Sequence, residues 1–348
     1  MPEVRTRPTG SAAPTTYALA DRYGRVARDL RVSLTDRCNL RCTYCMPAEG
    51  LPWLPTDDLL TDAEILRLVG VGVSRLGITS VRLTGGEPLL RKNLEALVAG
   101  IAALRPRPSI AMTTNAIGLA TRVAGLAAAG LDRINISVDT LDPDTFASLS
   151  RRRRLPDVLA GVRAARAAGL DPVKINTVLL RGVNDHEAID LLRWAMAEGV
   201  QLRFIEQMPL DAQHGWRRTE MVTAAEIRAR LTEQVNLVED EEDAVTRGSA
   251  PAELFRVAGT GYRVGIIASV TQPFCGACDR VRLTADGQIR NCLFARTESD
   301  LRAPLREGAD DTEIARRWVA AVRGKQAGHG IDDPSFLQPD RPMSAIGG

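Results

Sequence analysis

The segment LRVSLTDRCNLRCTYCMP (residues 30–47) joins a strand-like run to a loop that holds three of the six cysteines of the chain. The run LRVSL is short, apolar and partly β-branched, which predicts a β-strand. Cys38, Cys42 and Cys45 follow it within eight residues. A closed zinc site and an ordinary iron–sulfur cluster each need four ligands. The loop therefore predicts a metal site that its own thiols do not complete.

The pattern of a strand followed by a helix repeats from residue 30 to about residue 206. Helical stretches separate the later runs, and the one near 61–76 opens with TDAE, where Thr61 and Glu64 have the spacing of a capping box. The predicted strands are LRVSL (30–34), ITSVRLT (78–84), SIAMTT (109–114), RINISVD (133–139), PVKINTVLL (172–180) and QLRFIEQM (201–208).

Strands that alternate with helices through short connections imply parallel strands joined by right-handed crossovers. Six units are too few for a closed eight-stranded barrel. We therefore predict an α/β fold with a partial (β/α)6 TIM-type barrel, although a flat doubly wound sheet has the same periodicity. In either fold the chemistry is expected at the C-terminal ends of the strands. The polar or glycine-rich segments TGGEP, TTN, SVDT and EQMP occur there.

The character of the sequence changes after about residue 220. A helix (224–233) leads into the acidic run EDEEDAVTRG (239–248), which predicts a mobile segment. FRVAGTGYRVGIIASV (255–270) then predicts a β-hairpin, and the other three cysteines follow. We predict a flexible leader over residues 1–25, the partial barrel over 26–222 and a smaller C-terminal α+β domain over 223–348.

Charge and composition exclude several classes of function. The net charge of +2 gives no global field that attracts nucleic acid, and RRRR (151–154), which lacks interleaved aromatic residues, predicts a solvated helix start. No apolar run reaches the roughly 18 residues of a membrane span. The N-terminus lacks the apolar core of a signal peptide. We therefore predict a cytoplasmic protein with no nucleic-acid or membrane partner, in which clustered cysteines favour metal ligation over disulfides.

Two interpretations of the first cysteine group are compatible with its spacing. A zinc site would need a remote fourth ligand, and none of the three histidines, His186, His214 and His329, is near in sequence. A four-iron cluster held by three thiolates instead leaves one iron without a protein ligand. That open iron can chelate a small molecule through its amino and carboxylate groups.

The Cys-x3-Cys-x2-Cys spacing resembles the radical S-adenosylmethionine (SAM) superfamily. There SAM binds the open iron of a [4Fe–4S] cluster and is cleaved to a 5′-deoxyadenosyl radical. LTGGEPLL (83–90), one βα unit later, resembles the GGEP motif of the superfamily, whose glycine pair lets the backbone approach a ligand closely. The resemblance implies that Cys38, Cys42 and Cys45 hold a cluster and that Tyr44 and Gly86 contact SAM.

The second cysteine group, PFCGACDRVRLTADGQIRNCLF (273–294), has the spacing Cys-x2-Cys-x13-Cys at Cys275, Cys278 and Cys292. Zinc with a fourth ligand such as His329 fits this spacing about as well as a cluster does. The first group favours a second open cluster. Two arginines with strand spacing follow Cys278 and share one face, where their forks suit phosphate or a purine edge. They are Arg280 and Arg282.

Both cysteine groups, RFIEQMPL (203–210) and the terminal Gly347–Gly348 together resemble the family of GTP 3′,8-cyclases of molybdenum cofactor biosynthesis, over about residues 20–348. One departure is Ala116 in TTNA (113–116), where that family usually has glycine. The resemblance implies a lyase in which the 5′-deoxyadenosyl radical removes a hydrogen atom from ribose C3′ of GTP. The C3′ radical then attacks C8 of the guanine.

The resemblance also implies roles for individual positions. Ser137 and Met208 are expected to contact SAM. A second [4Fe–4S] cluster on the C-terminal cysteines is expected to bind the guanine, and the Gly347–Gly348 tail to reach into the active site. The residues implied in GTP binding are Arg31, Arg82, Thr113, Lys174, Arg280 and Arg282. Lys174 is one of three lysines in the chain, with Lys92 and Lys325.

The implied partners are an electron donor such as flavodoxin or ferredoxin and the next enzyme of the pathway, cyclic pyranopterin monophosphate synthase. The chain itself is expected to be a monomer or homodimer. Two other hypotheses stay open: another radical SAM enzyme with an auxiliary cluster, such as a peptide-modifying maturase, and a zinc-stabilised binding module. The arginines after Cys278 and the Gly–Gly terminus argue against the maturase.

Overall fold

The computed structural model describes residues 17–347 of the chain. Residues 1–16 of the predicted leader and Gly348 of the predicted tail lie outside the described residues. The six predicted strands are confirmed, and they pair in chain order, each parallel to the next. They are β1 Asp29–Ser33, β2 Ser80–Thr84, β3 Ser109–Thr114, β4 Arg133–Ser137, β5 Val173–Val178 and β6 Gln201–Ile205.

Helices connect these strands and cover one face of the sheet. They are α1 Asp62–Leu76, α2 Leu94–Ala102, α3 Val123–Ala129, α4 Pro143–Ser150, α5 Leu155–Ala167 and α6 Ala188–Glu198. The predicted capping box of α1 is confirmed, since the Glu64 N–H donates to Thr61 Oγ1 at 3.2 Å and the Thr61 N–H donates to Glu64 Oε2 at 2.8 Å. Strand residues such as Leu30 and Val81 are fully buried with apolar residues of the helices in one core. The other face of the sheet is free to carry polar side chains.

The C-terminal part of the chain extends the same sheet at both edges. Its strands are β7 Leu237–Glu239, β8 Glu253–Val257, β9 Arg263–Ile267, β10 Arg280–Leu283, β11 Gln288–Arg290 and β12 Ser299–Asp300. β10 pairs in parallel with β1, and β9 pairs in parallel with β6. Antiparallel pairs then flank the parallel strands, and β8 with β9 forms the predicted hairpin.

The strand order is β12-β11-β10-β1-β2-β3-β4-β5-β6-β9-β8-β7. In the part of the chain that the structure describes, the outermost strands β7 and β12 are not paired with each other, so the barrel stays open. The α/β partial barrel is thus confirmed as the fold class. The sheet is continuous across the domain boundary predicted at residues 222–223, and that division stays a prediction.

The remaining helices belong to the C-terminal part: α7 Ala224–Thr232, α8 Glu241–Thr246, α9 Arg302–Arg306, α10 Asp311–Arg323 and α11 Met343–Ile346. The acidic run predicted to be mobile contains α8. Asp240 caps this helix at the Asp243 N–H and forms ion pairs with Arg256 at 3.0 Å and Arg263 at 2.6 Å. Within residues 17–347, every helix falls short of the length and apolar content needed to cross a bilayer.

Glu206, the residue after β6, joins the barrel to the C-terminal part. Its fully buried carboxylate accepts hydrogen bonds from the N–H groups of Ala224 at 2.8 Å, Val270 at 2.8 Å and Thr271 at 2.9 Å. The Thr271 hydroxyl also donates to it. These donors belong to the start of α7 and to the segment after β9. One carboxylate therefore accepts hydrogen bonds from buried backbone N–H groups that have no partner within a helix or a strand pair.

We predict that Glu206→Gln lowers the free energy of unfolding by about 2–4 kcal/mol. Both carboxylate oxygens of Glu206 accept hydrogen bonds. In either orientation the NH2 group of the new amide replaces one of these acceptors, so buried N–H groups are left unsatisfied. Urea denaturation measures the change. Glu253→Gln, an exposed glutamate on β8, is the matched control and should shift the stability by less than about 0.5 kcal/mol. Equal effects of the two substitutions would contradict the role given to Glu206.

Candidate functional site

The inner face of the sheet encloses a cavity of about 690 Å³. The two cysteine groups lie far apart in the sequence, yet both line this cavity, together with every other predicted site residue that precedes the tail. The predicted residues that line it are Arg31, Cys38, Cys42, Tyr44, Cys45, Arg82, Gly86, Thr113, Ser137, Lys174, Met208, Cys275, Cys278, Arg280, Arg282 and Cys292. The fold thus places the two predicted metal sites on one enclosed space.

The first cysteine loop, residues 38–45, is anchored to the end of α4. The Arg41 N–H donates to the Ser150 carbonyl at 3.0 Å. Arg151 follows with a left-handed φ of 55°, and its Nη1 donates to the carbonyls of Arg41 at 2.8 Å and Met46 at 3.1 Å. The prediction of a solvated helix start is therefore wrong for Arg151. This arginine holds the back of the cysteine loop through the carbonyls of Arg41 and Met46.

The three cysteines of this loop are partly buried. Burial raises the pKa of Cys38 to about 11 and that of Cys45 to about 12, and it raises the pKa of Cys42 well above its usual value. The Asn115 amide lies 3.8 Å from Cys38 Sγ. These thiols are costly to ionise without a cation, so a metal group that binds thiolates would supply the missing positive charge.

The glycine pair of GGEP fits against the segment that leads into the cysteine loop. A Cβ at Gly86 would lie 2.2 Å from the Arg37 carbonyl oxygen, and one at Gly85 would lie 2.6 Å from the Thr35 carbonyl oxygen. We expected glycine here because of a ligand. The structure adds a second reason, since two backbone segments approach each other more closely than any side chain allows.

The aromatic residue of the cysteine loop is fixed from the opposite wall. The Tyr44 hydroxyl donates to Asp139 Oδ2 at 2.6 Å, and the Val178 N–H donates to Asp139 Oδ1 at 2.9 Å. Asp139 follows Ser137 at the end of β4. Met208 completes this part of the wall after β6 and packs against a small apolar cluster that includes Leu210 and Phe294. The ring of Tyr44 is therefore held in place before any ligand binds.

Register places a band of cations on the inner face of the sheet. Arg31 of β1 lies opposite Arg82 of β2 on one side and opposite Arg282 of β10 on the other. Residues in register on neighbouring parallel strands point to the same face. Lys174 of β5 points to that face too, because it also lines the cavity. Cations from four strands thus lie together on the inner face of the sheet.

Within residues 17–347 no cation of this band forms an ion pair with a carboxylate, although Asp29 on the same cavity favours the charge of Arg82. Burial lowers the pKa of Arg82 to about 10, with Arg31 as the next cause, and lowers the pKa of Lys174 to about 8, with Arg203 as the next cause. Nε and Nη1 of Arg82 are buried and have no hydrogen-bond partner among residues 17–347. Buried donors that repel one another fit an anion with several acceptor oxygens, such as a phosphate chain.

Our sequence analysis missed two members of the band, Arg133 on β4 and Arg203 on β6. Both line the cavity, and Arg203 is 6% exposed and donates to Asn176 Oδ1 at 2.6 Å. Burial and neighbouring arginines lower the pKa of Arg203 to about 9. The sequence carried one signal for Arg203, which is the one cation in the mainly apolar strand β6. Because side chains alternate along a strand, Arg203 lies on the same face as Gln201 and Ile205.

Two further predicted features lie beside the cavity. Ala116, the departure from the usual glycine, has a left-handed φ of 64° and is fully buried. It is accommodated because a Cβ at Gly161 would lie 2.9 Å from the Ala116 methyl, a contact that glycine avoids. At the tail, the Gly347 carbonyl accepts from Arg282 Nη1 at 2.8 Å. Gly347 thus contacts a residue of the cavity wall, whereas Gly348 lies outside the described residues.

The second cysteine group is less deeply buried, and its electrostatics differ from those of the first. Burial raises the pKa of Cys278, but Arg280 and Lys325 outweigh it and lower that pKa to about 7. Within residues 17–347, no group of three or more His, Cys, Asp or Glu side chains is arranged to hold a single metal ion. What fits an iron–sulfur cluster is the donor set, two groups of three thiols that face one cavity.

Comparison with known proteins gives two family matches. Residues 200–331 match the family described as Molybdenum Cofactor Synthesis C, and residues 32–195 match the Radical SAM superfamily. A GTP 3′,8-cyclase of Streptomyces coelicolor is 63% identical over 332 residues, which are 95% of this chain and 97% of the relative. A GTP 3′,8-cyclase of Corynebacterium glutamicum is 60% identical, covering 95% of this chain and 89% of the relative.

Solved structures share the fold at low sequence identity. Streptococcus suis SuiB bound to S-adenosylmethionine superposes with a TM-score of 0.58 at 16% identity, over 86% of this chain and 69% of that chain. Native anSMEcpe with bound AdoMet superposes with a TM-score of 0.54 at 14% identity, over 87% of this chain and 82% of that chain. These two likenesses support the open α/β barrel.

We predict that Gly86→Ala displaces the cysteine loop, because the new methyl group would meet the Arg37 carbonyl just before Cys38. The expected loss is about 1–3 kcal/mol of unfolding free energy, measured in urea, together with a lower iron content after anaerobic reconstitution. Gly125→Ala is the matched control, since its Cβ would meet only Glu95 Cγ, at 3.5 Å, on an exposed helix. A Gly86→Ala protein as stable and as iron-rich as the control would overturn this account of the glycine.

Proposed function

Since the chain belongs to the GTP 3′,8-cyclases of the radical SAM superfamily, we propose that it converts GTP to (8S)-3′,8-cyclo-7,8-dihydroguanosine 5′-triphosphate. This is the first step of molybdenum cofactor biosynthesis, and it makes the enzyme a lyase. The observation that carries the proposal is the placement of two cysteine triplets on one cavity with a band of cations on its wall. A long anionic substrate that must meet two metal groups needs such a cavity.

We propose that Cys38, Cys42 and Cys45 hold a [4Fe–4S] cluster whose open iron binds SAM. Around SAM we place Tyr44, Gly86, Ser137 and Met208, which line this end of the cavity. When bound, the cluster and SAM supply the 5′-deoxyadenosyl radical that takes a hydrogen atom from ribose C3′ of GTP. The protein supplies an aromatic ring fixed by Asp139 and a loop fixed from behind by Arg151.

We assign the second [4Fe–4S] cluster to Cys275, Cys278 and Cys292, with the guanine of GTP as its further ligand. Arg280 and Arg282 lie next to these thiols on β10, and the register of β10 with β1 continues the band through Arg31 to Arg82. The triphosphate is held there, with Thr113 and Lys174 completing the contacts. The buried free donors of Arg82 support this assignment.

In this arrangement the chain acts by binding and positioning. Beyond the thiol ligands we assign no catalytic residue, because moving a hydrogen atom needs no side-chain acid or base. The cyclised nucleotide radical would then take up one electron and one proton to give the 7,8-dihydro product. The cations hold GTP so that its ribose stays close to SAM, which is the main contribution a protein can make to a radical step. Enclosure in the barrel keeps other hydrogen donors away from the radical.

The remaining partners follow from the same proposal. An electron donor such as flavodoxin or ferredoxin would reduce the first cluster, and cyclic pyranopterin monophosphate synthase would take the product. The Gly347–Gly348 tail is assigned to the GTP end of the cavity, in keeping with the Arg282–Gly347 hydrogen bond. The cytoplasmic location and the choice between monomer and homodimer stay predictions of the sequence.

The direct test is anaerobic incubation of the reconstituted protein with reductant, SAM and GTP, followed by mass analysis of nucleotide and nucleoside. We expect about eight irons per chain, 5′-deoxyadenosine and the cyclised nucleotide. Cys42→Ala should abolish 5′-deoxyadenosine, whereas Cys292→Ala should mainly abolish cyclisation, because the two thiols serve different clusters. Stoichiometric zinc without iron would favour the binding module, and 5′-deoxyadenosine without any GTP product would favour another radical SAM enzyme.

A pH titration tests the assignment of Lys174 to GTP. Its pKa of about 8 lies below the ordinary lysine value because burial and neighbouring cations disfavour the charge. Bound triphosphate favours the charged form and raises this pKa, so binding takes up a proton once the pH exceeds about 8. GTP affinity, measured by calorimetry, should therefore fall as the pH rises through that value.

Lys174→Met should bind GTP at least about 10-fold more weakly near neutral pH and should lose this part of the pH dependence. Lys92→Met, which removes an exposed lysine, is the matched control and should keep both. An unchanged pH profile in Lys174→Met would show that this lysine does not contact the triphosphate.

A further inference from the structure

Lys325 carries a buried ammonium group beside the second cysteine triplet, and it is not among the residues that line the cavity. It is 4% exposed, although Gly324 and Gln326 on either side are exposed. Its Nζ lies 3.3 Å from Cys278 Sγ, 3.1 Å from the Cys278 carbonyl oxygen and 2.9 Å from the Arg280 carbonyl oxygen. An ammonium group has three N–H donors, and here three acceptors surround it.

The choice of lysine at this position is informative. The chain has 45 lysines and arginines, of which three are lysines. A guanidinium is a planar fork whose five N–H groups spread apart, so it cannot direct three donors from one atom toward a sulfur and two carbonyls. An ammonium is compact and can. The acceptor geometry around Lys325 therefore requires the residue type that this chain uses least among its cations.

Lys325 begins a segment, residues 325–329, that runs along the triplet from Cys278 to Cys275. At its other end a Cβ at Gly328 would lie 4.0 Å from Cys275 Cβ, so the segment packs against the first cysteine of the triplet. Arg25 fastens the same segment, since its Nη1 donates to the carbonyls of Cys275 at 2.7 Å and Ala327 at 2.9 Å. Cys278 thus receives a hydrogen bond from a residue that does not line the cavity.

We propose that Lys325 is a positioning residue for the C-terminal cluster, holding Cys278 in the orientation of a thiolate ligand and raising the reduction potential of that cluster. The inference rests on the proposed function, because it needs a cluster on this triplet. A fixed positive charge and a hydrogen bond at a ligand sulfur stabilise the extra electron of the reduced state. They also strengthen the hold on the metal through its ligand.

The test uses a Cys42→Ala background, in which the C-terminal cluster is the one left. After anaerobic reconstitution, a redox titration followed by electron paramagnetic resonance measures its midpoint potential. Lys325→Met should shift the potential to a lower value and should release iron to a chelator at least about 10-fold faster. Lys325→Arg keeps the charge but not the geometry, so we expect faster iron release in this variant too.

Lys92→Met in the same background is the matched control and should change neither quantity. Lys325→Gln, which keeps a neutral donor, serves if Lys325→Met fails to fold as judged by circular dichroism, and it should shift the potential in the same direction. If the background protein holds about four irons and every Lys325 variant behaves like the control, the role of Lys325 is overturned while the proposed function stands. If the background protein holds no iron, the second cluster itself is refuted.

Discussion

The parallel pairing of β1 with β10 is the constraint on which the rest of the site depends. β10 comes from the C-terminal part of the chain and begins two residues after Cys278, so its place beside β1 carries the second cysteine group to the edge of the barrel. The same register sets Arg282 opposite Arg31, which in turn lies opposite Arg82. A slip of one residue would turn both arginines of β10 toward the other face and remove them from the cationic wall of the cavity. At the opposite edge, β9 beside β6 and the carboxylate of Glu206 fix the other end of the C-terminal part.

Local patterns sufficed for the six strands, the hairpin and the cap of α1, because alternation and capping depend on neighbours in sequence. They also sufficed for the cysteine groups, whose spacing is a property of one loop each. Local patterns could not show that β9 and β10 join the two edges of one sheet, since such pairing depends on contacts between distant segments. Lys325 was missed for the same reason, because what distinguishes it is the set of groups around it, whereas Arg203 carried a local signal in its strand. The acidic run containing α8 and the start of RRRR were misjudged because Asp240 and Arg151 find partners that are remote in sequence.

The thiols of the two cysteine triplets have different electrostatic surroundings. In the first triplet burial outweighs the nearby Arg41, so the pKa values of Cys38 and Cys45 rise. The second lies nearer the surface between Arg280 and Lys325, and the pKa of Cys278 falls. The proposed division of labour, SAM at one triplet and nucleotide at the other, matches this contrast. A neutral, secluded thiol group suits a site that must exclude competing reactions, whereas a cationic surrounding suits a site that receives a polyanion.

The buried cations of the barrel affect the stability of the protein when no substrate is bound. Arg31, Arg82 and Arg203 repel one another across a buried space, so the empty fold carries an electrostatic cost that an anion removes. A ligand that binds the folded state alone adds about 2.7 kcal/mol of stability at 100 times its dissociation constant. Nucleotide supply then becomes part of the folding equilibrium. If GTP binds as proposed, the protein is expected to be less stable at low GTP concentration, and phosphate or sulfate in a purification buffer is expected to stabilise it and compete for the site.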